Sequence, residues 1–594
     1  MNTCHRIAKN LLTGISTPFK MSRFLIKILP WVLLCTVAVL QTKAQQKEEE
    51  YPQEIYHIPA PVKSDTENAQ VFAKERISQL QQEGYLSATK DSIVLQDEEF
   101  AIFITPGKKY YYKVNELLIS DMALYGSNLQ HITKASPVAF DDFESELKSI
   151  IDFYAAKGHP FARIEKKNVQ IIDNQIWLNL IANPSERIHF DTISIAGDAK
   201  LNRYFAENFL GIIAGNLYNE KLVNNAEKRL QELDFAELSG PVQLSFSPGL
   251  ASLILPLNNI PSNRFDGIAG FAGGADPETP FQVTGLLNLY LSNAMGMGEN
   301  IDIEWQGPGS GTQILNINGS YPYPLRLPLE TELMFSLHKQ DTSWLQMQLN
   351  PALFFGIASG SKIGVFWHYT ANNLISTRNW QNADNTAPNL DFRMNLYGIE
   401  YRYRTRAFYR HLLQDGFIAN LRASGGIRKI VINNNLPENI YDETELKQTR
   451  VNALIHMEKR WQTGSRATLS VANRTGYING RNLPRNELFR LGGFKTLRGF
   501  DELSIIASAY SMADIEFRFF TAPQSFFSFF ANGGWYQQDI GGKPINDFPL
   551  GFGTGLNLQT PPGIFSINLA LGLRKDVSPE FRNAKVHVGY ISNF

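Results

Sequence analysis

One arginine in this chain lies in a glycine-rich segment between two strand-like patterns. Residues 491–502 read LGGFKTLRGFDE, with Gly492 and Gly493 before Arg498 and Gly499 directly after it. Glycine relaxes the backbone and allows the chain to turn sharply beside the arginine. The segment therefore offers a fixed positive charge on a tightly folded backbone. Taken alone, it is equally well explained as a surface loop with an incidental arginine.

Catalytic and metal-binding patterns do not accompany this arginine. The ten histidines are scattered, no G-x-S-x-G elbow or phosphate-binding loop is present, and no carboxylate pair has an assignable acid–base role. Both cysteines, Cys4 and Cys35, lie near the N-terminus, within a predicted targeting segment. The net charge of −1 indicates no basic surface for nucleic acid. We expect no enzymatic activity, cofactor, metal or nucleic-acid partner.

Residues 1–44 are predicted to be a signal peptide. Basic residues precede an apolar stretch at 28–40, and the small residue Ala44 marks the expected cleavage site. Met21 is an alternative start. A membrane anchor is the competing interpretation, but the stretch contains Pro30 and is shorter than the ~20 residues of a spanning helix.

The next part of the chain mixes helical and strand patterns. Residues 45–64 are short and acidic, and we expect a linker there. Residues 111–184 and 185–262 each contain a strand-like stretch, an amphipathic helix and a hairpin pattern. Residues 65–110 show the latter part of the same order. The sequence predicts α+β modules at these three places, the first of them partial or divergent.

From residue 263 to 594 the hydrophobic pattern has a period of two. In FSINLALGLR, large apolar residues alternate with small or polar ones, as in strands that have lipid on one side. About sixteen segments have the ~10-residue length of such strands. The long connections near 373–389, 431–449 and 479–508 fall on one side of the resulting barrel. We predict an all-β, 16-stranded antiparallel transmembrane barrel; a large soluble sandwich is the alternative.

These features resemble the BamA/TamA-type outer-membrane protein assembly superfamily. Its members carry periplasmic POTRA domains of β-α-α-β-β order before a 16-stranded barrel of the surface-antigen type. Between the eleventh and twelfth strands, a loop with a [V/L]-R-G-[F/Y] motif folds back into that barrel. Here loop 479–508 occupies this place. Four consecutive residues match the motif: Leu497, Arg498, Gly499 and Phe500.

The resemblance also implies partners for the motif arginine in the barrel lumen. In the superfamily, this arginine meets acidic groups on the next two strands. The pattern AYSMADIEFRFF identifies Glu516 as the first of these, with Asp514 on the same face. The second acidic position is occupied by Asn532, which adds no charge. We therefore expect a clamp that is weaker or that depends on Asp514.

The first and last strands of the predicted barrel suggest a weak seam. Gly267, Gly270 and Gly273 leave few side chains to reinforce pairing in the first strand, although they also suit a barrel kink. The last strand carries one alternating face that matches the C-terminal signal of many outer-membrane barrels, or simply forms an ordinary final strand. That face consists of Val586, Val588, Tyr590 and Phe594.

The resemblance implies an insertase or assembly factor in the outer membrane of a Gram-negative bacterium. It would receive unfolded substrates through the POTRA-like domains and template their insertion at the weak seam. A two-partner-secretion-type translocation pore is the alternative, although residues 45–64 show no clear plug helix. Barrel enzymes and diffusion porins do not require periplasmic modules. Expected partners are unfolded outer-membrane or secreted proteins, outer-membrane lipids, and periplasmic or inner-membrane proteins.

Overall fold

The architecture comes from a computed structural model. It describes residues 53–59, 66–96, 99–119, 136–276, 279–309, 311–377, 388–405, 412–441, 445–480, 482–540, 543–575 and 583–593. The predicted signal peptide, residues 1–44, lies outside these ranges. The chain divides into two units, one of residues 1–150 and 163–183, the other of residues 151–162 and 184–594. Within the described ranges, no helix is long and apolar enough to cross a membrane.

The first unit contains an α/β module and most of a second. The first module consists of β1 (Glu54–Pro59), α1 (Thr66–Gln82), β2 (Thr89–Gln96) and β3 (Glu99–Thr105), with β3 in the middle of the sheet. The second consists of β4 (Tyr111–Ile119), α2 (Phe140–Ala155), β5 (Arg163–Ile172) and β6 (Gln175–Asn183). Its central strand β6 is parallel to β4 and antiparallel to β5.

Strand β1 differs from the sequence-based interpretation, because it lies inside the predicted linker, residues 45–64. It pairs antiparallel with β3 along all six of its residues. The stretch is short and is bounded by Pro59, so alternation alone does not distinguish it from an extended linker. Its pairing shows that the first module begins before residue 65.

The third module belongs to the second unit and has the complete strand–helix–helix–hairpin order. Its elements are β7 (His189–Ala196), α3 (Arg203–Leu210), α4 (Glu220–Leu230), β8 (Ala236–Leu238), β9 (Gln243–Ser247) and β10 (Leu250–Asn259). Asn219 begins α4, since its side chain accepts the Lys221 N–H at 3.0 Å. The apolar faces of both helices cover the sheet, and Ala206, Leu230 and Leu253 are fully buried between them.

The barrel begins directly after the third module. Its first eleven strands are β11 (Arg264–Asp276), β12 (Thr279–Ser292), β13 (Asn300–Gly309), β14 (Thr312–Pro322), β15 (Leu329–Gln340), β16 (Trp344–Ala358), β17 (Ser361–Leu374), β18 (Phe392–Arg404), β19 (Gly416–Ile430), β20 (Lys447–Gly464) and β21 (Ala467–Ile478). A small hairpin of β22 (Phe489–Leu491) and β23 (Ile505–Ala507) follows. Two short 3₁₀ helices, Pro324–Arg326 and Glu438–Ile440, lie in connections.

The remaining segments close the barrel. They are β24 (Ala509–Ala522), β25 (Ser525–Ile540), β26 (Lys543–Asp547), β27 (Leu550–Thr560), β28 (Gly563–Leu573) and β29 (Lys585–Asn593). Both β26 and β27 pair with β25, so the seventeen described segments fill sixteen strand positions. All neighbours are antiparallel, and β29 pairs with β11. The fold class predicted from the sequence, α+β modules followed by a 16-stranded barrel, is confirmed.

The alternation of side chains gives the barrel two distinct faces. On β15 and β17, Glu332 and Lys362 point to one side and form an ion pair of 3.0 Å. Their neighbours Leu333 and Val365 point to the other side and are more than half exposed. Only the apolar face is compatible with hydrocarbon, so the charged face lines the lumen.

The third module contacts the turns at the periplasmic end of the barrel. The Tyr204 hydroxyl donates to the Tyr323 carbonyl at 2.7 Å, and Asn293 Nδ2 donates to the Lys200 carbonyl at 2.7 Å. At the same place, Gly298 has a left-handed backbone with φ of 74°, and a Cβ there would lie 2.1 Å from Cε2 of Phe205. The close fit requires glycine at residue 298.

This contact predicts that Gly298→Ala loosens the third module from the barrel. The added methyl group displaces Phe205 and strains the backbone by about 1–2 kcal/mol. Limited proteolysis of the folded, purified protein should then cut residues 260–264 faster. The control is Gly356→Ala, because no atom lies within 4 Å of a Cβ at that position. Equal cleavage rates for both variants would contradict the prediction.

Candidate functional site

The loop between β21 and β24 enters the barrel and forms the centre of the candidate site. Its hairpin β22–β23 carries a tip, residues 492–504, whose fold depends on Gly493. Gly493 has a left-handed backbone with φ of 88°, which favours glycine, and a Cβ there would also displace the Glu502 carboxylate, whose Oε2 would lie 1.8 Å away. Glu502 accepts the Phe494 N–H at 2.9 Å. Burial raises the pKa of the Glu502 carboxyl, although this hydrogen bond opposes the shift.

The side chain of Arg498 is 10% exposed and meets two carboxylates on β24. Its Nη1 lies 3.1 Å from Glu516 Oε2, and its Nη2 lies 2.8 Å and 3.0 Å from the two oxygens of Asp514. The guanidinium carbon lies 3.6 Å from the centre of the Phe530 ring. Arg498 therefore has two negative partners and an aromatic surface, in a polar lumen lined by neighbouring strands.

Asn532 takes no part in this ion pair. It is buried at the position where the resemblance implies a second acid. Neither polar atom of its side chain has a hydrogen-bond partner among the described residues. Asp514, directly opposite in the β24–β25 register, supplies the second carboxylate instead.

Two residues beside the clamp were not identified from the sequence. Arg518 Nε donates to Glu516 Oε1 at 2.7 Å and so orients that carboxylate for Arg498. Phe530 lies in the run SFFSFFANGG, where aromatic residues occur on both faces of the strand. Arg518 could have been found, because it shares the polar face of β24, whereas alternation gives no signal for Phe530.

The other motif residues fix the backbone of the tip. Gly499 has a φ of 94°, and a Cβ there would lie 2.5 Å from the backbone of Leu571 on β28. A Cβ on Gly551 of β27 would lie 1.9 Å from the Arg498 carbonyl oxygen. Leu497 and Phe500 are buried in the hydrophobic cluster below the hairpin. Gly499 in the tip and Gly551 in the barrel wall thus allow the tip to approach the inner side of the wall.

The seam joins β11 and β29, the first and last barrel strands. It has eight residue pairs, from Arg264↔Asn593 to Phe271↔Val586; among the other ladders of the barrel, β28–β29 has seven and β19–β20 has fourteen. Three of those eight contain a glycine, and these are Gly267↔Tyr590, Ile268↔Gly589 and Gly270↔His587. Gly273 lies past the seam ladder and pairs with Phe281 of β12.

The C-terminal strand presents three of its four predicted signal residues on the lipid-facing side. Val588 is 38% exposed there, and Val586 and Tyr590 share its face by alternation. Phe594 lies outside the described residues.

The loop tip contacts strands on both sides of this seam. On one side, Asp501 accepts a hydrogen bond of 2.5 Å from Lys585 of β29, and the Phe494 ring lies 5.3 Å from that of His587. On the other side, Lys495 forms an ion pair with Glu304 of β13. No local sequence pattern predicts these partners, because Lys495 and Glu304 are 191 residues apart.

A second clamp holds the outer part of the loop. Glu487 forms an ion pair with Arg450 of β20 and lies 3.5 Å from Arg428 of β19. All three side chains are at most 2% exposed. Nearby, Asn486 Nδ2 donates to Asn372 Oδ1 of β17 at 2.7 Å. The loop is therefore fixed at its outer part as well as at its tip.

Within the part of the chain that the structure describes, no three His, Cys, Asp or Glu side chains are close enough to hold a metal ion.

The fold and the inward loop define a class: outer-membrane barrels preceded by POTRA-like modules. The Omp85 superfamily domain matches residues 293–589, which is half of the 594-residue chain. The chain therefore belongs to the Omp85 superfamily, whose members handle unfolded protein substrates. It is an outer-membrane protein with its N-terminal modules in the periplasm.

Solved structures share this fold at low sequence identity. CdiB from Escherichia coli is 14% identical, with 89% of this chain and 98% of that chain covered at a TM-score of 0.53. CdiB from Acinetobacter baumannii is 15% identical, with 90% and 100% covered at a TM-score of 0.51. BamA from Haemophilus ducreyi lacking POTRA domains 1–3 is 14% identical, with 81% and 100% covered at 0.44. No curated protein matches the chain in sequence.

The contact of Arg498 with Asp514 and Glu516, which we name the inner clamp, predicts the effect of a charge reversal. Arg498→Glu places a third carboxylate beside Asp514 and Glu516, and breaking such a buried pair costs about 3–5 kcal/mol. We expect the tip to leave the wall and to become accessible to external protease on intact cells. Adding Glu516→Arg should restore part of the protection. Arg485→Glu, which changes an exposed residue of the same loop, is the control. If Arg498→Glu leaves the protection of the loop from protease unchanged, the inner clamp is wrong.

The contact of Glu487 with Arg428 and Arg450, which we name the outer clamp, predicts a separate effect on the barrel mouth. Glu487→Gln leaves Arg428 and Arg450 buried without their carboxylate, which costs about 3–5 kcal/mol. The outer part of the loop should separate from β19 and β20, and ion conductance in planar bilayers should rise. Glu445→Gln removes an exposed carboxylate near Arg428 and serves as the control. The prediction is wrong if the two variants conduct equally.

Proposed function

We propose that this protein inserts or assembles unfolded β-barrel substrates in the outer membrane, with β11 as the templating edge. The observation that carries the proposal is the loop tip, which binds β29 through Asp501 and β13 through Lys495. A contact that reaches across the seam restrains its opening. A protein that works only by conducting substrate through its lumen has no need for such a restraint.

The chemistry of the substrate explains why a seam is useful. An unfolded strand brings backbone N–H and C=O groups that hydrocarbon cannot solvate, and an open barrel edge can pair with them. Each cross-strand side-chain pair contributes about 0.2–1 kcal/mol, so the three glycine pairs weaken this seam by about 0.6–3 kcal/mol. Ala272, Gly273 and Asp276 of β11 pair with β12 but, among the described residues, not with β29.

In the proposed cycle, the Arg498 clamp keeps the tip seated while the seam is closed. The gross attraction between Arg498 and one carboxylate is about 4 kcal/mol at an effective dielectric near 20, and desolvation offsets part of it. Such a contact is strong enough to order the loop and weak enough to break when substrate arrives. Release of the tip would remove the contacts that span the seam.

We also propose that the N-terminal modules deliver the substrate. Modules at 65–110, 111–184 and 185–262, the first extended to include β1, would act as POTRA-like domains. Strands β2 and β5 are at the edges of their sheets and can accept an extended peptide by adding a strand. In this account the protein has no catalytic role, and Val586, Val588, Tyr590 and Phe594 direct its own assembly.

A translocation pore of the two-partner-secretion type is the second candidate. It is favoured by the position of the loop, which fills the lumen at its tip and is clamped near the outer end by Glu487. Departure of the whole loop would open a channel through the barrel. The two functions differ in whether the seam must open.

A disulfide across the seam distinguishes these functions. Ala269 and Val588 are direct partners in the β11–β29 ladder, and the only cysteines of the chain lie in the predicted signal peptide. In cells that depend on the Ala269→Cys/Val588→Cys variant, oxidation should stop the assembly of outer-membrane barrels, and a reductant should restore it. A closed seam cannot template an incoming strand.

The matched control is a disulfide between two other lipid-facing partners, Ala423 of β19 and Ala453 of β20. The variant Ala423→Cys/Ala453→Cys should assemble barrels in both redox states. Normal barrel assembly with a fully oxidised seam would overturn the insertase proposal. The pore is the correct function if barrel assembly does not depend on this chain and the secretion of an exported protein continues with the oxidised seam.

A further inference from the structure

The outer wall of the barrel contains an apolar groove of about 860 Å³. It crosses six neighbouring strands, β13 to β18, and we name it the wall groove. One row of residues defines its floor and sides: Ile301, Gly319, Leu333, Pro351, Trp367 and Tyr397. The ladders of β13–β16 and of β17–β18 place these residues next to one another across the sheet.

Side-chain alternation places the wall groove on the lipid side. Leu333 and Tyr397 are 52% and 65% exposed, while Glu332, one position from Leu333, and Glu400, three positions from Tyr397, point into the lumen. There Arg402 bridges the two carboxylates, with a contact of 2.7 Å to Glu332. Beside the wall groove, the charged side chains of Glu332, Glu400 and Arg402 therefore lie on the inner side, and the outer side offers a largely apolar surface to the membrane.

Two residues create the depression. Gly319 has no side chain, and no atom lies within 4 Å of the place where its Cβ would be. Pro351 lacks a backbone N–H, and the β16–β17 ladder has no pair at residues 350 and 351. A barrel wall normally curves outward, so a missing side chain beside an interrupted ladder leaves a hollow there. Trp367 and Tyr397 form its far end.

The indole N–H at the far end already has a partner. Trp367 Nε1 donates to Asn395 Oδ1 at 3.1 Å, so the indole needs no water or polar ligand. The volume falls within the range of about 300–1,000 Å³ that is typical of small-molecule sites. An apolar ligand of moderate size is the occupant that this surface fits.

We propose that the wall groove binds one acyl chain of a phospholipid from the periplasmic leaflet. Gly319 is three residues from the periplasmic end of β14, and the row reaches mid-strand only at β16 to β18. At that depth the surrounding solvent is hydrocarbon, and the periplasmic leaflet supplies it as phospholipid acyl chains. Because the groove is preformed, the bound chain is ordered and exchanges slowly with the bulk bilayer.

The test uses full-length protein reconstituted in vesicles of phosphatidylethanolamine and phosphatidylglycerol. After extraction into detergent, native mass spectrometry should show a phospholipid retained on the unmodified protein. Gly319→Leu adds an apolar side chain to the groove at a position where the Cβ meets no atom within 4 Å, and the retained phospholipid should be lost. Ala423→Leu makes the same kind of change on the lipid-facing side of β19, outside the groove, and should retain it. Electrophoretic heat-modifiability confirms that each barrel is folded.

A second measurement needs no variant. A phosphatidylethanolamine with a photoreactive diazirine in its acyl chain is cross-linked to the unmodified protein in vesicles, and the labelled peptides are mapped. Labels should concentrate on β14 to β18. Labels spread evenly over all lipid-facing strands, or retention of detergent in place of phospholipid, would overturn the proposal, as would equal phospholipid retention by Gly319→Leu.

Discussion

Closure of the barrel between its first and last strands is the constraint on which the rest of this structure depends. In hydrocarbon, every backbone N–H and C=O group of β11 and β29 must be paired, and a barrel achieves this only when its ends meet. Every other neighbouring pair is joined by a turn or loop, whereas β11 and β29 meet through noncovalent contacts alone. Their ladder has eight pairs, three of which contain a glycine. Contacts from inside the lumen can therefore decide how firmly the barrel is closed.

The inward loop provides such contacts because charge in the lumen fixes it at two depths. At the tip, Arg498 binds Asp514 and Glu516; nearer the outer end, Glu487 binds Arg428 and Arg450. Buried charges of this kind are costly when unpaired, so each clamp strongly favours the seated loop. With both clamps formed, Asp501 and Lys495 reach the strands on either side of the seam. The contacts that restrain the seam are thus electrostatic, whereas the seam itself is a ladder of backbone hydrogen bonds.

The sequence predicted the parts of this arrangement that depend on local patterns. A period of two gave the barrel strands and the three long connections, and helical spacing gave the core faces of the modules. The charges on β24 could be assigned to the lumen because lipid excludes them. The resemblance of residues 497–500 supplied a partner for Arg498, which alternation alone could not have done.

The remaining contacts join residues that are distant in sequence and carry no local signal. Lys495 and Glu304 look like ordinary charges until the barrel brings β13 beside the loop tip. The ion pair of Glu487 with Arg450 likewise depends on how the loop crosses the mouth. Strand β1 was missed for another reason: its alternation is too short to outweigh the acidic, proline-bounded context. At Asn532 the family pattern implies a second acidic partner for Arg498. Asp514, which lies opposite Asn532, supplies that carboxylate instead.

We propose that the loop tip holds the seam closed, and hydrogen exchange of the seam amides is the most direct test of this role. Lys495→Ala with Lys585→Ala removes the ion pairs on both sides of the seam and leaves Arg498 with its carboxylates. The account predicts faster exchange at the amides of residues 586–591 and 264–271, with unchanged exchange in the β19–β20 ladder. If the seam amides of this double variant exchange as slowly as those of the unmodified protein, the tip does not hold the seam.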